Sequence, residues 1–286
     1  ITGGLGFIGS NLFNFMVKKY PNYKLVILDS ETYVADESNI ENISHGRIIK
    51  FSITERERLF KLFETYEFSH VIHLAAESHV DRSLVDASHF IATNYSGVFN
   101  ILSAMKKYEG KKLIQISTDE VYGPAPKGYA HKEWDTILPS NPYSGSKAAQ
   151  EAACISYWRT FDVPVVITNT MNIIGERQDP EKFIPKIMYC LEKDIPMTIH
   201  GTPENVGSRF YLHARNQADA LVFILNNLPA IDYPNSDRPD KYHIVGEREI
   251  DNLEMAELVA EYWGKELKFK FQDFHTTRPG HDLRYA

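Results

Sequence analysis

Thr2-Gly3-Gly4-Leu5-Gly6-Phe7-Ile8-Gly9-Ser10 is the stretch on which the fold turns. Its glycines at positions 3, 6 and 9 have the spacing of a nucleotide-binding turn. One allows the tight turn, one lets a pyrophosphate approach the backbone, and one permits close packing of helix on strand. A helix is predicted from Ser10 onward, offering free N–H groups and a positive dipole end to an anion. Lys24–Asp29 reads as the next strand, and Asp29 closes it twenty residues after Gly9. A carboxylate there accepts hydrogen bonds from a ribose diol and repels a 2′-phosphate, which predicts NAD rather than NADP.

Outward from that turn, apolar runs alternate with helical periodicity. Arg47–Phe51, His70–Leu74, Lys112–Ser117 and Val163–Asn169 read as further strands; Asn11–Lys19, Glu55–Tyr66, Ser88–Tyr108 and Ser144–Phe161 read as helices. This alternation predicts an α/β fold with a Rossmann-type, doubly wound parallel sheet. The dinucleotide-binding domain is expected over residues 1–175. Residues 176–286 are expected to form mainly a smaller α/β substrate-binding domain, with some segments returning to the main sheet. In that part Met197–His200, Tyr242–Val245 and Leu267–Phe271 read as strands, and Ala218–Asn227 and Asn252–Trp263 as helices.

The 286 residues are 43% apolar and 24% charged, with a net charge of −7, which argues against nucleic acid or an anionic membrane as the main partner. Two cysteines, Cys154 and Cys190, lack metal-ligand spacing, so no metal is expected and a cytoplasmic setting is the simplest reading. No apolar run approaches membrane-spanning length. The chain opens one residue before the glycine turn, where a strand belongs, which predicts further sequence ahead of Ile1.

The chemistry gathers at a strand end. Ser117-Thr118-Asp119-Glu120-Val121-Tyr122-Gly123 follows the strand Lys112–Ser117, and in an open parallel sheet ligands bind at the carboxyl ends of the strands. Twenty residues on, Tyr143 and Lys147 stand four apart, on one face of the predicted helix. An ammonium beside a phenol favours the phenolate, so Lys147 is expected to lower the pKa of Tyr143. At the end of His70–Leu74, Ala75 and Ala76 let backbone lie close to a dinucleotide; His79 is given no catalytic role.

Through Thr2–Ser10, Leu74–Ser83, Ser117–Gly123, Tyr143–Lys147, Pro180–Pro185 and Arg278-Pro279-Gly280-His281-Asp282-Leu283-Arg284-Tyr285, the chain resembles the extended short-chain dehydrogenase/reductases. Within them it is most similar to the nucleotide-sugar 4,6-dehydratases; the Thr-Asp-Glu triplet discriminates, since related epimerases generally lack the Asp-Glu pair. The resemblance implies a lyase that uses NAD to convert a nucleotide-diphosphate hexose, such as dTDP-glucose or a UDP-sugar, into a 4-keto-6-deoxy sugar. Tyr143 takes the proton of the 4-hydroxyl, Thr118 binds the 4-oxygen, Glu120 removes the C5 proton, and protonated Asp119 delivers a proton to the departing 6-hydroxyl. It further implies NAD contacts from Gly3, Gly6, Phe7, Ile8, Gly9, Asp29, Thr32, Ile53, Leu74, Ala75, Ala76, Thr93, Tyr143 and Lys147. Substrate contacts are implied for Ser78, Thr118, Asn172, Lys182, Arg209, Arg278 and His281, the two arginines on the diphosphate. A homodimer through a four-helix bundle is implied too, and the small face Ala148, Ala149, Ala152 and Ala153 fits it. The family chain usually continues past the final Arg-Tyr-Ala.

Ile173-Ile174-Gly175-Glu176 replaces the family's Asn-Tyr-Gly-Pro, Met171 a small polar residue, Ser52-Ile53 an Asp-Ile, and His243 an Asn associated with the nucleotide. These departures touch sugar and base recognition. They leave open the nucleotide, the hexose and a 5,6-elimination; the alternative readings are a 4-epimerase of the same fold and a non-catalytic NAD-binding regulator.

Overall fold

Thr2 lies between two strands, with parallel bridges to Leu28 on one side and His73 on the other. The computed structural model describes residues 1–43, 46–228, 236–273 and 280–286. In chain order the first half comprises α1 (Phe7–Lys19), β1 (Leu25–Asp29), β2 (Gly46–Lys50), α2 (Arg56–Tyr66), β3 (His70–His73) and α3 (Val80–Val85). There follow α4 (Ser88–Phe90), a π-helical stretch (Ile91–Gly97), α5 (Val98–Lys107), β4 (Lys112–Thr118), α6 (Pro142–Phe161) and β5 (Val165–Thr170). The remainder comprises β6 (Asn172–Ile174), α7 (Phe183–Lys193), β7 (Met197–Thr202), β8 (Asn205–Val206), β9 (Ser208–His213) and α8 (Ala214–Asn227). Last come β10 (Asp240–Ile244), β11 (Glu249–Asp251), α9 (Asn252–Trp263) and β12 (Phe269–Gln272).

With Thr2 as the link, the main sheet runs β2, β1, Thr2, β3, β4, β5, β10, and every pairing is parallel. All seven residues of β4 are buried, because a parallel sheet is covered on both faces. On one face Leu12, Phe13 and Met16 of α1 pack with Leu221, Val222 and Leu225 of α8 over Ile27, Ile114 and Val166. On the other, Leu59 and Phe63 of α2, Ile101 and Met105 of α5, and Trp158 of α6 pack over Val71, Leu113 and Val165. Each fully buried side chain of this kind contributes about 1.5–3 kcal/mol. Lys112 opens β4 and donates to the carbonyls of Ile224 (3.1 Å), Leu225 (2.8 Å) and Leu228, tying the C-terminal end of α8 to the sheet.

Segments late in sequence thus return to the main sheet: β10 pairs with β5, and α8 packs beside α1. The rest of the C-terminal part forms two small three-stranded sheets, β11-β9-β6 and β12-β7-β8. Ile187, Leu191, Met197, Ile199, Ala256 and Ala260 form its core.

Three local differences from the sequence reading have physical causes. Helix α1 begins at Phe7 rather than Ser10, because Gly6 (φ −74°, ψ 176°) holds the extended conformation of an N-cap. Helix α7 is absent from that reading because Pro180 and Pro185 suggest loop; Pro185 sits in the first turn, where no backbone donor is needed. The helix expected over Ser88–Tyr108 contains the π-helical stretch, a feature common at functional sites. There Asn94 is buried and exchanges hydrogen bonds with the Glu77 backbone (2.8 and 2.9 Å) while donating to Ser146 Oγ (2.9 Å).

Candidate active site

A cleft of about 350 Å³ opens at the carboxyl ends of the strands, where the order reverses at Thr2. Its floor is the glycine turn, and the three glycines answer to different demands. A Cβ on Gly3 (φ +68°) would lie 2.7 Å from the Ala75 nitrogen, and one on Gly9 only 2.1 Å from the Gly3 carbonyl oxygen. Those two are required by the protein itself. A Cβ on Gly6 would meet only the Gly3 oxygen, at an ordinary 3.5 Å. Gly6 therefore keeps a space that the polypeptide does not need, at the head of α1, whose N-terminus has no side-chain cap. That cradle beside backbone donors with no side-chain cap suits a pyrophosphate.

Asp29 is buried at the end of β1, and its two carboxylate oxygens accept from the backbone N–H groups of Leu5 (3.0 Å) and Glu31 (2.9 Å). A carboxylate oxygen has two acceptor positions, so each retains one for a ribose hydroxyl. Thr32, Ile53, Leu74, Ala75, Ala76 and Thr93 line the same cleft, as do Phe7 and Ile8. These residues fit an NAD molecule.

The far wall carries the candidate proton-transfer groups. Thr118 ends β4, its hydroxyl donates to Asp119 Oδ1 (3.1 Å) and accepts from the Glu120 N–H (3.3 Å). Asp119, Glu120, Tyr143 and Lys147 line the cleft with it. The long α6 starts where it does because Asn141 and Ser144 form a reciprocal capping box with Pro142 in the first turn. That start brings Tyr143 and Lys147 to the cleft one turn apart.

Burial dominates the electrostatics. It pushes the Asp119 carboxyl up to about 6. Burial and then the neighbouring Asp119 charge push Glu120 up to about 7. Both shifts run upward, so the pair is not divided into one acid and one ordinary carboxylate. Asp119 Oδ2 is buried without a hydrogen-bond partner.

The expected lowering of the Tyr143 pKa by Lys147 is not found. Burial, then Glu120, pushes the phenol up, and a hydrogen bond with Thr118 acts the other way. The reason is geometric: the Lys147 ammonium donates to the Ile116 carbonyl at 2.6 Å, while the Tyr143 ring packs with Val80 and Phe90. Burial also draws Lys147 itself down to about 8.

Of the residues expected to hold substrate, Ser78, Thr118, Asn172 and Lys182 line the cleft. Arg209 does not; its guanidinium donates to the carbonyls of Ser208 (2.7 Å), Asp282 (2.6 Å) and Leu283 (2.6 Å) and lies over the Tyr285 ring. It acts on the cleft only through its charge, which opposes the upward shifts of Asp119 and Glu120. His281 is also outside the lining and meets Asp81 at 2.7 Å. Arg278 lies outside the described residues. His243, associated by resemblance with the nucleotide, meets the Tyr122 hydroxyl at 2.9 Å away from the cleft.

Sequence reasoning missed two groups that build the site. Asn141 donates to Glu120 Oε2 (3.4 Å) and to the Gly280 carbonyl (2.9 Å). Its signal was the Asn-Pro that opens α6. Glu151, fully buried one turn beyond Lys147, pairs with Lys241 of β10 at 2.7 Å; no local pattern reveals a partner ninety residues away. Among the described residues no helix is long and apolar enough to cross a membrane, and no cluster of side chains could hold a metal ion.

A family profile described as GDP-mannose 4,6 dehydratase matches residues 1–282. The chain is 35% identical over 296 aligned residues to dTDP-D-glucose 4,6-dehydratase of Bos taurus, covering all of this chain and 79% of the relative. It superposes on the crystal structure of Bacillus anthracis dTDP-glucose 4,6-dehydratase in complex with NAD with a TM-score of 0.86 at 30% identity, covering 100% of this chain and 85% of that one. The NAD complex of Thermus thermophilus UDP-glucose 4-epimerase is as similar in shape, with a TM-score of 0.88, at 26% identity and coverage of 100% and 88%. Shape is therefore shared by dehydratases and epimerases, whereas the sequence match runs to the former. The chain belongs to the GDP-mannose 4,6-dehydratase family, among the extended short-chain dehydrogenase/reductases.

Proposed function

We propose that the protein is an NAD-dependent lyase that removes water from a nucleotide-diphosphate hexose, giving a 4-keto-6-deoxy sugar. One observation carries the reading: Thr118, Asp119, Glu120, Tyr143 and Lys147 line the same cleft as the glycine turn and Asp29. A 4-epimerase would need the tyrosine, the lysine and the cofactor, but has no use for two carboxylates raised toward neutrality.

NAD bound in the cleft would accept the hydride from C4 and return it to C6 within each turnover, so that no external oxidant or reductant is consumed. The polypeptide manages the protons. Tyr143 takes the proton of the sugar 4-hydroxyl as its phenolate, the form that burial and Glu120 disfavour in the protein alone, while Thr118 holds the same oxygen. The resulting ketone acidifies the hydrogen on C5, which Glu120 removes as general base. Asp119 protonates the departing 6-hydroxyl, and a proton is returned to C5. Groups titrating near neutrality suit both transfers, since a proton-transfer catalyst works best with a pKa near the working pH. Lys147 grips the nicotinamide ribose, and Ser78, Asn172 and Lys182 hold the sugar and its phosphates. We also propose a cytoplasmic homodimer. The exposed apolar side chains Ile91, Tyr95, Phe99 and Phe161, with the exposed Ala152, support a contact through the π-helical stretch, α5 and α6, whereas Ala153 of the expected alanine face is buried in the core.

Purified protein incubated with dTDP-glucose, UDP-glucose and GDP-mannose, each followed by mass spectrometry, tests the activity. Loss of one water from one of them is expected; an isomer of unchanged mass from all three would reject it.

A further inference from the structure

Glu151 has no role in the chemistry above, yet it is a carboxylate with no exposed surface at the meeting point of four elements. Its Oε1 accepts from Ser117 Oγ (2.5 Å) at the end of β4 and from Asn169 Nδ2 (2.7 Å) at the end of β5. The same Asn169 amide donates to the Thr118 carbonyl (2.8 Å). Its Oε2 accepts from Lys241 Nζ (2.7 Å) on β10, which is equally buried. A buried charge pair is costly to assemble, and replacement by apolar residues is often neutral or stabilising. Stability alone is therefore a weak reason for it to be here.

We propose that Glu151 is a positioning residue that locks the strand end bearing Thr118, Asp119 and Glu120 to the helix bearing Tyr143 and Lys147, with Lys241 as its counter-ion. The inference rests on the function proposed above. In that reaction one sugar must meet Tyr143 at its 4-hydroxyl and the two carboxylates at C5 and C6. The two sets of groups sit on separate elements, α6 and the loop after β4, and one carboxylate bonds to both. A misplacement on the order of 1 Å between such groups costs about 100-fold in rate.

Glu151 also acts on Lys147 through charge. The titratable groups that bear on Lys147 are Glu151 and Cys154 of its own helix and His73 of β3. Of these, Glu151 raises the lysine against its burial, while His73 is held neutral by its own burial. Removing the Glu151 charge must let Lys147 fall further.

A glutamine there would keep an oxygen able to accept from Ser117 and Asn169, and Glu151→Leu alone leaves the Lys241 ammonium without a counter-ion, so the apolar pair Glu151→Leu/Lys241→Met is the informative variant. If Glu151 only neutralises Lys241, this pair keeps the wild-type kcat. If it positions the site, kcat falls roughly 100-fold while KM stays within about threefold, and Lys147 titrates at lower pH in carbon-13 NMR of lysine-labelled protein. A kcat within twofold of wild type, or an unmoved Lys147 titration, overturns the proposal. Should the pair fail to fold, Ser117→Ala keeps the ion pair and removes one of its bonds to the strand end; an unchanged kcat there would overturn it equally. If the wild-type protein releases water from no sugar, the proposed function falls and takes the positioning role with it, while the lysine titration, which needs no turnover, still tests the charge coupling of Glu151 to Lys147.

Discussion

Asn141 caps the helix that carries Tyr143 and, from the same side chain, donates to the Glu120 carboxylate at 3.4 Å. Start of helix and proposed base are thus one hydrogen-bonded unit. Asn141→Ala should cost about 1 kcal/mol of stability for the lost cap. The hydrogen bond to Asn141 lowers the Glu120 pKa, so its loss should move the acid limb of the pH–rate profile upward. Thermal unfolding and a pH series of kcat check both halves; an unmoved acid limb would separate Asn141 from Glu120.

The raised carboxylates make stability depend on pH with a definite sign. Asp119 goes from 3.8 to about 6 and Glu120 from 4.5 to about 7. The unfolded chain releases these protons first, so the folded state is increasingly penalised as pH rises from about 4 to 7. Below that window the penalty is absent. Glu120→Gln should accordingly stabilise the protein by on the order of 2 kcal/mol at pH 8 and have little effect at pH 4. Denaturant unfolding at the two pH values reads the difference, and equal effects at both would contradict it.

Within the active site the three proton-transfer residues should separate by step. Tyr143→Phe is expected to abolish the first oxidation, so no transient absorbance of reduced nicotinamide forms on mixing with substrate. Asp119→Asn and Glu120→Gln should permit that transient and lower water release by at least about 100-fold. Stopped-flow absorbance and product mass are measured together. Normal water release by Asp119→Asn would remove Asp119 from its role.

The glycines should divide in the same way as their surroundings. Gly6→Ala brings its methyl only into ordinary contact with the Gly3 oxygen, so it should lose no more than about 1 kcal/mol of stability, the cost of an alanine at an N-cap, and lose NAD affinity by more than tenfold. Gly9→Ala drives a carbon to 2.1 Å from the Gly3 oxygen and should cost about 3 kcal/mol or more of stability. Unfolding curves and calorimetric NAD titration distinguish them, and a Gly6→Ala destabilised as much as Gly9→Ala would show that its space belongs to the fold.

Much of this arrangement was legible in the chain itself, for reasons that differ by residue. The glycine spacing, Asp29 and the buried strand Lys112–Ser117 are local patterns, and the sheet is built on them. Tyr143 and Lys147 share a helix face by spacing alone, and both line the cleft. Direction of charge was not legible. The ammonium of Lys147 turns to the Ile116 carbonyl, and that acceptor lies on a strand whose distance no spacing reveals. Arg209 illustrates the same limit: its donors are taken by carbonyls seventy-odd residues away at Asp282 and Leu283. The Lys241–Glu151 pair joins β10 to α6 across ninety residues, so it emerges only once the sheet is assembled.

The central claim is that a ketone formed at C4 loosens the hydrogen on C5 and lets the 6-hydroxyl leave. Turnover in deuterium oxide, with the product read by mass spectrometry and proton NMR, tests this most directly. The account predicts a product lighter by one water, with one deuterium at C5 and a new methyl group at C6. A product of unchanged mass with its C5 hydrogen retained would contradict it.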